Sequence, residues 1–131
     1  MIDKMGNKLN TIKCNVDAVF YLQVTKENIY YTDYTKKTLH CCNLSGDNIW
    51  VFQDESANNS HGVSVDNNRN VFVVGQRSNT LTVIQYDGTV SKTLLTQTDG
   101  LSYPLAVFYS KDRNTLVLNE TPRSLSFYSV I

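Results

Sequence analysis

The chain lacks several features, and each absence closes off a class of protein. No apolar run approaches the roughly 20 residues that span a bilayer, so no membrane partner is expected. The opening stretch MIDKMGNKLNTIKC has no apolar leader core, and the expected location is the cytoplasm. Neither sign of charge is in excess: Lys+Arg and Asp+Glu number 12 each. A dedicated nucleic-acid binder carries a basic surplus, so RNA remains a partner only through a local basic face. Cysteine is scarce. Cys14, Cys41 and Cys42 make no C-x-x-C pair, which excludes zinc-knuckle spacing. An odd count suits a reducing compartment. No G-x-S-x-G elbow occurs, and no 3.6-residue apolar stripe persists, so no helix is expected. The sequons Asn43-Leu44-Ser45 and Asn58-Asn59-Ser60 are read as products of an Asn-, Ser- and Thr-rich composition.

What is present is a globular composition, 41% hydrophobic and 18% charged. It is organised as a repeat. Asn28-Ile29-Tyr30-Tyr31-Thr32 aligns with Asn70-Val71-Phe72-Val73-Val74, and Ser45-Gly46 with Asp87-Gly88. A third copy carries Arg113-Asn114-Thr115 and Ser124-Leu125-Ser126. Each unit reads as four strands, a to d, separated by turn residues. Strand a covers 19–24, 62–65 and 105–109. Strand b covers 28–32, 70–74 and 114–118. Strand c covers 38–43, 80–85 and 124–130, and strand d covers 49–53 and 90–95. Strand b is almost continuously apolar, as in a strand buried on both faces.

Repeated four-stranded units of this length indicate a β-propeller. The expected fold is all-β, a partial propeller of about three four-stranded antiparallel blades. The N-terminal Gly6-Asn7-Lys8-Leu9-Asn10-Thr11-Ile12 aligns with 88–94, so the strand order is d, abcd, abcd, abc. The boundaries are 1–15 for a strand d of a preceding blade, 16–55 and 56–98 for two blades, and 99–131 for an incomplete one. Three blades are fewer than the roughly four to eight of closed propellers. A segment of a longer propeller is the first expectation, and a self-assembling oligomer the second.

Two families are resembled at strand b and its following loop. Ile29-Tyr30-Tyr31-Thr32-Asp33 with Leu44-Ser45-Gly46 resembles the YWTD repeat of receptor propellers, Tyr31 standing for its Trp. Asn70-Val71-Phe72-Val73-Val74 through Ile84-Gln85-Tyr86-Asp87-Gly88 resembles the NHL repeat, with His61-Gly62-Val63-Ser64-Val65-Asp66 as its lead-in. The Asp that closes the NHL strand b is Asp33 in the first unit, but Gly75 and Asn119 in the others. The style is similar to the propellers of tripartite-motif proteins. That resemblance implies a protein- or RNA-recognition module of a ubiquitin ligase whose catalysis resides in a zinc RING. No RING or B-box residues occur in this sequence. The YWTD-like unit implies instead an extracellular receptor segment.

Catalytic chemistry finds little support. His40, Cys41 and Cys42 sit on one strand, where alternation puts His40 and Cys42 on one face and Cys41 on the other. Two ligands leave a zinc site incomplete, so no metal, cofactor or small-molecule substrate is expected. A propeller hydrolase would need a channel site near His61 with Asp17, Asp66 or Asp99. Asp33 and Asp66 are instead expected to accept backbone N–H groups at strand ends. Trp50 is expected to pack on the next blade.

The loops carry the stronger signal. In an up-and-down blade the b–c and d–a connections share one end. The b–c connections hold Lys36 and Lys37, then Gln76 and Arg77, then Arg123, and a d–a connection adds Tyr103. These six residues are the candidate partner-binding face, with a protein as the expected partner. Asp54, Glu55 and Asp99 on the same end offset its charge. Phe72 is expected in the core. Phe72→Ala should lower unfolding free energy by roughly 3–5 kcal/mol in denaturant titration, and a loss under about 1 kcal/mol would contradict the assignment.

Overall fold

The computed structural model describes residues 6–9, 11–14, 19–33, 36–53, 60–120 and 123–130; the side chains of residues 19, 20, 60, 61 and 120 lie outside this description. Three antiparallel sheets follow one another along the chain. Blade 1 contains β1 (Val19–Val24), β2 (Asn28–Asp33), β3 (Thr38–Asn43) and β4 (Asn48–Gln53) in sequential order. Blade 2 contains β5 (Ser60–Val65), β6 (Val71–Gly75), β7 (Thr80–Ile84) and β8 (Ser91–Leu95). Blade 3 contains β9 (Val107–Ser110), β10 (Thr115–Glu120) and β11 (Ser124–Ser129). The fold is the expected all-β partial propeller. A single 3-10 turn, Gln97–Asp99, is the only helical element among the described residues.

The starts of β6 and β9 are set by side-chain acceptors. Val71, not Asn70, opens β6, because the Asn70 N–H donates to Asp66 Oδ1 at 2.9 Å instead of joining the ladder. β9 opens at Val107 rather than Leu105, because the N–H groups of Leu105 and Ala106 both donate to Asn119 Oδ1, at 3.0 and 2.7 Å. Asn114 adopts φ +47° and stays outside β10. Lys37 and Asn79, at matching places in two b–c turns, take φ +58° and +53°.

Sheet faces stack on one another. Tyr30, Leu39, Cys41 and Trp50 of blade 1 pack on Val63, Val71, Val73 and Ile84 of blade 2. Phe72, Val74 and Leu81 of blade 2 pack on Val107, Tyr109, Leu116 and Leu118 of blade 3. All five residues of β6 are therefore buried, as a middle strand of a middle blade should be. Among the described side chains of β10 only Leu116 and Leu118 are buried, because a single neighbouring sheet covers it. The innermost strands β1, β5 and β9 converge. A Cβ on Gly62 would lie 2.8 Å from the Ala106 Cα and the Val107 nitrogen, so glycine admits this approach.

Trp50 stands against blade 2, as expected. Its indole N–H donates to the Tyr86 carbonyl at 3.2 Å. Gly88 adopts φ +76°, and a Cβ there would lie 2.6 Å from the Trp50 ring. Residues 6–9 and 11–14, expected as strand d of a preceding blade, pair with no strand among the described residues. A strand d bonds only to a strand c of its own blade, and none stands beside these residues among those described.

Thr82 points from β7 into the core between blades 1 and 2. Its hydroxyl is buried without a hydrogen-bond partner among the described residues. Thr82→Val keeps the shape and removes that buried group. The substitution should raise unfolding free energy by about 1 kcal/mol in urea titration; a loss of stability would show that the hydroxyl is satisfied.

Candidate functional site

The six expected surface residues lie on the end of the sheets formed by the b–c turns and the d–a connection. Lys36 and Lys37 are exposed in the β2–β3 turn, Arg77 is exposed and Gln76 half-buried in the β6–β7 turn, and Arg123 is exposed just before β11. Tyr103 lies in the β8–β9 connection. Its N–H donates to Asn79 Oδ1 at 2.7 Å, which ties this connection to the β6–β7 turn. Leu101, two residues earlier, is 1% exposed in the core between blades 2 and 3, and Pro104 is buried. Tyr103 is thus held at φ +46° with 58% of its surface open. Gln76, Arg77 and Tyr103 belong to one joined pair of loops. Lys36, Lys37 and Arg123 occupy the corresponding turns of the flanking blades, and no hydrogen bond among the described residues joins them to that pair. Asp99 is occupied as a cap: its Oδ2 accepts the Thr96 N–H at 3.0 Å. Asp17, Asp54, Glu55 and the His61 side chain lie outside the described residues.

The opposite end has features that sequence reasoning passed over. The three a–b turns border a cavity of about 890 Å³ at the convergence of the inner strands, with Lys26, Glu27, Asp66, Arg69, Lys111 and Asp112 around it. Arg69 pairs with Glu27 at 3.3 Å across blades, an exposed contact of small energetic weight. A second groove, about 930 Å³, runs between blades 2 and 3 past Phe72, Leu81, Leu116 and Tyr128. Every a–b turn carries charged residues of both signs, a pattern the sequence shows without placing the three turns together. Asp66 is spent on structure: Oδ1 accepts the N–H groups of Asn68 and Asn70, both at 2.9 Å. The buried Asp33 carboxylate accepts the Lys36 N–H at 3.4 Å.

The His40–Cys42 cluster is also structural. His40 bonds to the Thr38 hydroxyl at 2.8 Å and stacks on Tyr31 with ring centroids 5.0 Å apart. Burial holds the His40 imidazole below its usual range, Asp33 opposing this and Lys36 adding to it. Burial pushes the Cys41 thiol up to about 11, between Tyr30 and Trp50. The Cys42 thiol is raised by burial and by nearby Cys14. Among the described residues no three His, Cys, Asp or Glu side chains gather in a metal-binding group.

Solved structures share this architecture. A streptogramin B lyase superposes with a TM-score of 0.62 at 15% identity, over 86% of this chain and 40% of that one. The Pan2 WD40 domain of Neurospora crassa gives 0.68 at 18% identity, over 84% and 32%. A nidogen/laminin complex gives 0.71 at 18% identity, over 85% and 44%. The chain is a β-propeller segment. It spans less than half of each of these chains. No family model matches the sequence, and no curated protein does either. Among the described residues no helix is long and apolar enough to cross a membrane.

Cys41 should be the last thiol to react. With its thiolate disfavoured by burial, alkylation by iodoacetamide at pH 8 should leave Cys41 unmodified in native protein, as read by peptide mass spectrometry. Stoichiometric labelling of Cys41 before unfolding would contradict its place between the blades.

Proposed function

We propose that this chain is a non-catalytic recognition segment that binds a protein partner through the loop face around Tyr103. The carrying observation is the presentation of that tyrosine. Its backbone is fixed by Asn79 and anchored through buried Leu101, while its ring stays open in the joined pair of loops that also carries exposed Arg77. A fixed aromatic loses little freedom on binding, and Tyr and Arg are both enriched at interface centres. A formal net charge of +0 favours a protein over RNA. The NHL-like second repeat extends the proposal to the partner-recognition part of a cytoplasmic, tripartite-motif-like ubiquitin ligase. The nidogen/laminin complex is a propeller-containing assembly of proteins, which is compatible with the same use of the fold.

Affinity capture from cytosol with the double variant Tyr103→Ala, Arg77→Ala tests the reading. Bound partner should weaken at least tenfold, about 1.4 kcal/mol, while Lys26→Ala, Lys111→Ala on the opposite end leaves it unchanged. The reverse pattern would move the site to the axial cavity. Capture of RNA with steep salt dependence would replace the protein partner.

A further inference from the structure

The contact between blades 1 and 2 is a template for a second, smaller contact on the other side of blade 1. Trp50 lies against Gly88, and Phe52, two residues on, packs on the cluster that holds Val73 and Ile84. The strand register of blade 1 matches Tyr31 to Val73 and Cys42 to Ile84. Ile29 pairs with Cys42 and Tyr31 with His40, as Val71 pairs with Ile84 and Val73 with Thr82. Gly46 sits in the β3–β4 turn as Gly88 sits in the β7–β8 turn. A Cβ on Gly46 would lie 2.7 Å from Ile12 Cγ2, so Ile12 stands on Gly46 as Trp50 stands on Gly88.

Cys14, two residues beyond Ile12, is then brought to the pair that corresponds to Val73 and Ile84. The Tyr31 hydroxyl is in hydrogen-bonding contact with the Cys14 side chain; burial first, and then this thiol, disfavours its ionisation. The Cys42 thiol is raised by burial and then by the neighbouring Cys14. Cys42 is 3% exposed, whereas Cys14 is half-buried. Cys41 is turned to the opposite face, among Tyr30 and Trp50, and has no access to Cys14. Two of the three thiols thus share one face and one pocket, and they lie far apart in sequence.

We propose that Cys14 and Cys42 are a disulfide-forming pair that ties the segment ahead of β1 to β3 of blade 1 when a small disulfide oxidant is present. With glutathione disulfide the step balances. The Cys14 thiolate, the more accessible of the two, attacks one sulfur of the oxidant and releases one glutathione. The Cys42 thiolate then attacks the Cys14 sulfur and releases the second. The two protons lost by the cysteines end on the two glutathiones, and the two electrons reduce the small disulfide. The link closes a loop that contains β1 and β2, which restricts the unfolded chain. In a reducing cytosol both thiols stay free, so the tie is conditional on oxidation. Neither thiol lies in the loops around Tyr103, so the pairing and the recognition reading stand or fall separately.

The folded full chain, incubated with excess glutathione disulfide, should lose two hydrogens and remain one chain, with Cys14 joined to Cys42 in peptide mass spectrometry. Cys41→Ala should form the same link, and Cys42→Ala and Cys14→Ser should not. Oxidation should raise Tm by roughly 5 °C or more in the unaltered chain and in Cys41→Ala, and should leave Cys14→Ser unmoved. Where Cys42→Ala fails to fold, Cys14→Ser carries the comparison, since Cys14 is partly open to solvent. Free thiols in the folded protein after incubation, a glutathione adduct that stays on Cys14, a link that uses Cys41, a link only between two chains, or a linked chain with an unchanged or lower Tm would each overturn the proposal.

Discussion

Face-to-face stacking of twisted sheets is the constraint on which the rest of the molecule depends. A four-stranded antiparallel sheet has two faces, and a middle blade must bury both. β6 meets that requirement with Val71, Val73 on one side and Phe72, Val74 on the other. Alternation disappears from such a strand, because neither side is left for polar residues. The inner strands then crowd at the axis, and Gly62 marks the point where backbone meets backbone. At the periphery the sheets diverge, and a larger group fills the gap. Trp50 does so, with its ring on Gly88 and its N–H on the Tyr86 carbonyl.

Turns are held by short amide and carboxylate side chains rather than by packing. Asn43 Oδ1 accepts from Ser45 and Asp47, Asp66 Oδ1 from Asn68 and Asn70, and Asn119 Oδ1 from Leu105 and Ala106. One oxygen satisfies two N–H groups that the ladder cannot reach. Tyr109 links the blades by the same economy. Its N–H donates to the Ser64 hydroxyl at 2.9 Å, and its own hydroxyl donates to Asn114 Oδ1 at 2.6 Å. The abundance of Asn in this sequence is therefore a structural requirement of tight turns between sheets. The same chemistry fixes Tyr103 through Asn79, which is how a turn device becomes part of an exposed surface.

The strands were legible because their signal is local. β-branched and aromatic runs separated by Asn, Asp, Gly and Ser mark β1 to β11 closely, and the repeat supplies the pairing order. What the sequence left hidden depends on contacts between distant residues. The late start of β9 requires Asn119, which lies across the sheet. The short 3-10 turn arises from Thr96 and Asp99 capping each other in a segment that alternation cannot assign. Counting strands puts the loop-face residues at the end formed by the b–c turns, where the structure has them. Their division into one joined group, Gln76, Arg77 and Tyr103, and two flanking turns rests on the single Asn79 bond, which no spacing reveals. The axial cavity was overlooked because its charges come from three separate turns that only the convergence of inner strands brings together.

The end faces show what the repeat itself demands. Solvent-facing sheets usually carry polar residues, and edge strands are commonly blunted by Lys, Pro or a bulge. β11 has none of these: its outward positions are Leu125, Phe127 and Ser129. Its pairing with β10 runs without a register shift, unlike β1 with β2 or β5 with β6. A regular strand with an apolar outer row is what a blade presents to its successor. Blade 2 carries Phe72 at the position where blade 3 carries Val117, and Phe72 is 3% exposed. Phe108 and Phe127 flank Val117 as Ser64 and Val83 flank Phe72. By the rule that buries Phe72, the blade 3 row is a surface of the kind that a following blade covers.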